Sequence, residues 1–97
     1  RPRAVARFVV EEYAVSGGEG SLAGVVERLR AAAAVLAREG RDVRFERSIL
    51  LVGDGVALHF FEAVSADDVS EAARRAAIAC DRLHVAVEAG GGASCPI

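Results

Sequence analysis

The chain has 97 residues, 53% of them apolar and 27% charged, with a net charge of −2. That length bounds it to one domain able to bury roughly 65% of its unfolded surface, and the apolar content excludes disorder. All 12 basic residues are Arg, scattered without forming a stripe, so the electrostatic footprint of a nucleic-acid binder is missing.

Lys, Asn, Gln, Thr, Met and Trp are absent while Ala, Gly and Val abound, the mark of a GC-rich coding sequence. No apolar run approaches the roughly 20 residues that span a bilayer, and no signal-peptide pattern precedes the first strand. Arg1 in place of an initiator Met points to a start upstream. The two cysteines, Cys80 and Cys95, make no disulfide framework, so a reducing cytoplasm is expected. Cys80 sits in an apolar stretch and reads as a small buried hydrophobe; Cys95 lies in a Gly-rich tail.

The first strand is expected from about Ala4 to Tyr13. Residues 16–20, Ser-Gly-Gly-Glu-Gly, then read as a loop. Ser21 is a natural N-cap for a first helix. Leu22, Val25, Val26, Leu29, Ala33 and Leu36 follow at helical spacing as one apolar stripe, and Gly40 is a left-handed C-terminal cap. A second strand begins at Val43, with Val43, Phe45, Ile49 and Leu51 alternating with Arg44, Glu46 and Ser48. Arg47 breaks that parity. Gly53-Asp54-Gly55 signals a hairpin, so the third strand, Val56 to Ala63, runs antiparallel to the second. Ser65 caps the second helix, with Asp68 completing a capping-box pattern. Val69, Ala72, Ala73 and Ala76 form its apolar stripe. From Asp81, Leu83, Val85 and Val87 alternate with His84, Ala86 and Glu88 in a last strand. Residues 90–97 read as a flexible tail behind a domain of residues 4–89.

The order βαββαβ is that of an α+β, ferredoxin-like domain: an antiparallel four-stranded sheet with two helices on one face. Right-handed crossovers put the first and third strands at the centre. These strands, around Arg7–Glu11 and Val56–Phe61, carry apolar residues on both faces, whereas a half-exposed strand alternates apolar with polar. Two helices cover one face only. The other face needs a ligand or a second subunit.

Strand parity assigns Phe8, Val10, Leu58, Phe60, Leu83, Val85 and Val87 to the helix-covered face. The open face then carries Val9, Glu11, Tyr13, Ala57, His59, Phe61, His84 and Ala86. Imidazole and carboxylate ligate nickel, zinc or copper, so His59, His84 and Glu11 are candidate metal ligands, completed across a dimer. The competing reading is that both histidines are hydrogen-bonded core or interface residues. Flanking the central strand directly, they stand about 10 Å apart, two strand spacings, which is long for one ion. Val9, Tyr13, Ala57, Phe61 and Ala86 are the expected interface residues. No catalytic residue is identifiable. Glu11 as a general base competes with a carboxylate paired to Arg7 or Arg44. Gly17-Gly18-Glu19-Gly20 lacks the Lys and Ser/Thr of a phosphate loop.

Three stretches carry a family resemblance: residues 7–13 (Arg-Phe-Val-Val-Glu-Glu-Tyr), residues 59–69 from His59 to Val69, and Cys80-Asp81-Arg82-Leu83. Together they resemble a family of small bacterial ferredoxin-like proteins, described as nickel-binding or left uncharacterised. The chain departs from that pattern at Glu12, where Arg is frequent, and at Val64, where Pro is frequent. The resemblance implies a ferredoxin-like fold, dimerisation through the sheet face, nickel as the metal, and no established enzyme activity. The expected function is therefore a small cytoplasmic binding protein, homodimeric through the open sheet face, holding a divalent transition metal. The alternative is a dimeric α+β barrel enzyme, a cofactor-independent monooxygenase or cyclase, with a cavity lined by His59, Phe61 and Glu11 for an aromatic or polyketide-like substrate. A purely structural dimer is the third reading.

Overall fold

A computed structural model describes residues 4–15, 19–87 and 89. Six elements follow in the order β1 (Ala6–Glu12), α1 (Glu19–Arg38), β2 (Val43–Leu51), β3 (Val56–Ala63), α2 (Ala66–Arg75) and β4 (Arg82–Ala86). The strands form one sheet in the order β2-β3-β1-β4, and every neighbouring pair is antiparallel. This is the ferredoxin-like arrangement, with β1 and β3 at the centre as the crossover rule requires. No helix among the described residues is long and apolar enough to cross a membrane. The tail at 90–97 and the first part of the 16–20 loop lie outside the described residues.

Helix α1 begins at Glu19, so Ser21 sits inside its first turn rather than capping it. The apolar stripe holds: Leu29, Ala33 and Leu36 are buried, and Leu22, Val25 and Val26 half-buried. Both helices end in the same hydrogen-bond pattern. After α1, Arg41 N–H donates to Leu36 C=O at 2.9 Å and Gly40 N–H to Ala37 C=O at 3.0 Å. After α2, Ile78 N–H donates to Ala73 C=O at 2.9 Å and Ala77 N–H to Arg74 C=O at 3.1 Å. Each is a Schellman cap with its turning residue at positive φ: Gly40 at 92° and Ala77 at 59°. Ser65 caps α2, its hydroxyl accepting from Asp68 N–H at 3.3 Å. The Asp68 carboxylate instead accepts from Arg41 Nε at 2.7 Å, tying α2 to the chain after α1.

The core lies between both helices and one face of the sheet. Phe8 and Val10 of β1, Val43 of β2 and Phe61 and Ala63 of β3 meet Leu29, Ala33 and Leu36 of α1 and Val69, Ala72 and Ala73 of α2. Phe45 and Phe61 pack edge to face, with centroids 5.5 Å apart.

Two parity expectations are corrected here. In β3, Ala57, His59, Phe61 and Ala63 are buried while Leu58, Phe60 and Glu62 are half-buried. Register fixes the sides, since Phe8 pairs Phe61 and Val10 pairs His59. Ala57, His59 and Phe61 therefore face the helices, and Leu58 and Phe60 face outward. The cause is that this strand is apolar at every position from 56 to 61 except His59, so periodicity alone gives no side. In β2 the register slips between Phe45 and Arg47, leaving Glu46 as the extra residue of a bulge. Beyond it, Ser48 and Leu50 join the helix face. Ile49 and Leu51 turn outward, with 38% and 39% of their surfaces exposed. Leu83 and Val85 do pair Val10 and Phe8 on the helix side. Val85 is 66% exposed because it lies on an edge strand. Cys80 is exposed rather than buried.

Candidate functional site

The open face of the sheet is an ordered grid. Paired residues across β2, β3, β1 and β4 share a face, so register gives its rows directly. The first row is Arg44, Glu62, Arg7, Ala86. The second is Arg47, Phe60, Val9, His84. The third is Ile49, Leu58, Glu11, Arg82. Leu51 and Val56 begin a fourth. An apolar patch of Val9, Phe60, Leu58, Ile49, Val56 and Leu51 thus occupies the middle and the β2–β3 corner of a face that no helix covers.

Charged groups frame it. Arg7 donates to both oxygens of Glu46, each at 2.9 Å, and to Glu62 at 3.3 Å. Arg44 donates to the other Glu62 oxygen at 2.6 Å. The bulge places Glu46 where the Arg7 fork can take it two strands away, and that fork holds the Glu46 carboxyl below the ordinary carboxylate range. The Arg47 guanidinium lies over the Phe60 ring, 4.6 Å from its centroid.

On the β4 side, Glu11 is the centre of a second cluster. Tyr13 OH donates to one of its oxygens at 2.8 Å. His84 Nε2 stands 2.7 Å from the other. The Tyr13 hydrogen bond first, and the His84 contact second, hold the Glu11 carboxyl below its usual value, and donating that hydrogen bond to Glu11 raises the Tyr13 phenol. Glu11, His84, Val9 and Ala86 are on the open face as expected, with Tyr13 attached through Glu11.

His59 belongs elsewhere. It is fully buried on the helix side, and among the described residues it is the buried polar one. Its Nδ1 lies 2.6 Å from Ser48 Oγ and its Nε2 3.0 Å from Glu12 Oε1. The structure therefore joins Glu11 with His84 and separates both from His59 by the thickness of the sheet. Among the described residues no group of three or more His, Cys, Asp or Glu is placed to hold a metal ion. The cavity expected from His59, Phe61 and Glu11 is likewise not assembled, since Glu11 points away from the other two.

Ser48 and Glu12 escaped the sequence reading. The bulge reverses the side of Ser48, and Arg47, which broke the alternation, was its one visible trace. Glu12 follows Glu11 on a two-residue period, so the two carboxylates must point to opposite faces.

No family model and no curated protein matches the chain. In structure it is similar to SCO4226 from Streptomyces coelicolor A3(2), with a TM-score of 0.71 and 17% identity. The likeness covers 88% of this chain and 100% of that one, and it shows the fold alone.

Proposed function

We propose that the protein is a small binding protein that works as a homodimer, two copies stacking their open sheet faces. The observation that carries this is the apolar patch of Val9, Phe60, Leu58, Ile49 and Val56, which no helix covers, on a sheet whose other side packs against both helices. Apolar surface costs roughly 25 cal/mol per Å² in water, and a two-fold partner returns the same patch to cover it. The charges suit a second copy. A two-fold axis parallel to the strands, between β1 and β3, would lay each β3 over the opposite β1. Phe60 would then meet the partner's Val9, and Glu62 the partner's Arg7. A reducing cytoplasm suits the free thiol of Cys80.

The metal reading rests on Glu11 and His84. One copy offers only those two donors, fewer than the four that close a structural tetrahedral site, so the residues of a single copy do not fit nickel. A divalent transition metal would need donors from both copies.

Native mass spectrometry with and without nickel tests both parts. A dimer is expected for the native protein and a folded monomer for Leu58→Glu. A native monomer would overturn the dimer. In this stacking the partner's β4 lies over β2, so its Glu11 and His84 do not join this copy's pair and a metal-free dimer is expected; nickel uptake by the dimer, lost in His84→Ala, would restore the metal reading.

A further inference from the structure

We propose that Ser48 is an activated nucleophile, served by His59 as its base and by Glu12 as the positioning residue, and that it accepts acyl groups from small activated esters and phosphoryl groups from phosphorofluoridates. The site lies on the helix side of the sheet, away from the dimer face, and is independent of it.

The hydrogen-bond chain fixes proton positions. An ionised Glu12 only accepts, so the ring nitrogen facing it, Nε2, carries the proton. In the neutral ring that leaves Nδ1 bare. Ser48 Oγ, 2.6 Å away, can then only donate. This is the hydrogen-bond order of a nucleophile, a base and an orienting carboxylate, with the two ring nitrogens exchanged relative to the serine-protease arrangement. Proton transfer from Oγ to Nδ1 needs no heavy atom to move, and the cation formed lies against the Glu12 carboxylate.

Exposure is divided as such a site requires. His59 is fully buried, whereas Ser48 is half-buried and so presents part of its surface to solvent. Three strands set the geometry: Ser48 and His59 are register partners on β2 and β3, and Glu12 ends β1. A groove of about 240 Å³ runs between Ala33 and Ala34 of α1 and Val43 and Phe45 of β2, with Arg30 and Arg44 at its sides. The next helix-facing residue of β2 beyond Phe45 is Ser48.

The probe is diisopropyl fluorophosphate. Ser48 Oγ attacks phosphorus, the new O–P bond forms, the P–F bond breaks, fluoride leaves, and the hydroxyl proton passes to Nδ1 of His59. Intact-mass and peptide analysis should place one adduct on Ser48, absent from Ser48→Ala. Glu12→Gln should slow labelling about a hundredfold, within the range that positioned bases provide. NMR of ¹⁵N-histidine-labelled native protein at pH 8 should show His59 protonated at Nε2 and bare at Nδ1. Native protein that forms no Ser48 adduct overturns the proposal. So does a ring protonated at Nδ1, which leaves the serine without a base. So does a folded Glu12→Gln variant that labels at the native rate.

Discussion

His59 and His84 stand on opposite faces of one sheet because their partners on β1, Val10 and Val9, are consecutive residues. The first is sealed between Ser48 and Glu12, with no side-chain exposure. The second keeps 39% of its side chain exposed beside Glu11. Diethyl pyrocarbonate should therefore modify His84 and spare His59 in the folded Leu58→Glu monomer, whose open face is not stacked against a second copy. Mass spectrometry should find one modified histidine, and none in His84→Ala. Two modified histidines at equal rates would contradict the burial of His59.

The buried imidazole also carries stability. His59→Phe removes the shared partner of Ser48 and Glu12 and leaves both groups half-buried without it. A cost of about 1–3 kcal/mol is expected. For a domain of this size each kilocalorie lowers the melting temperature by roughly 4–8 °C. Adding Ser48→Ala to that variant should recover part of the loss, since one stranded polar group is then removed. Additive losses in the double variant would show that the two side chains are not coupled.

The paired helix caps give opposite expectations for one kind of substitution. Ala77 adopts φ of 59° and Gly40 φ of 92° in equivalent turns. A non-Gly residue there costs about 1–2 kcal/mol, partly offset in a glycine variant by the larger entropy of its unfolded chain. Ala77→Gly should raise stability by about 0.5–1 kcal/mol. Gly40→Ala should lower it by about 1 kcal/mol, with nothing within 4 Å of the added methyl to add a clash. Chemical denaturation of the two variants checks both signs.

The topology, the α1 stripe, the Gly40 and Ser65 caps and the β2–β3 hairpin were legible because each has a local signal. The sides of β3 were not, because Leu58, Phe60 and Phe61 are equally apolar. Glu62 held the missing information. A carboxylate one residue past Phe61 belongs on the wetter face, and a period of two carries Phe60 and Leu58 with it. Ser48 was hidden for a different reason. A bulge changes parity without changing composition, and its partner Glu46 is explained only by Arg7, 39 residues away in the chain. Long-range pairing of that kind has no local trace.

That same pair sets an acid response. The Arg7 fork holds the folded Glu46 carboxyl below its unfolded value of about 4.3. A depressed pKa stabilises the fold fully above the unfolded value, and the stabilisation is lost as pH falls through the folded one. Arg7 and Glu46 keep only 26% and 18% of their side chains exposed, so the pair should exceed a fully solvated one and contribute about 1 kcal/mol. Arg7→Met should therefore melt several degrees below the native protein at pH 7. The gap should narrow as pH falls below about 4, where the unfolded chain takes up a proton on Glu46 that the folded carboxylate beside Arg7 resists. Thermal unfolding of both proteins from pH 7 to pH 2.5 measures that gap directly. A gap that stays constant across the range would assign the effect of Arg7 to the packing of its aliphatic stem beside Ala86, its partner on β4, rather than to its charge.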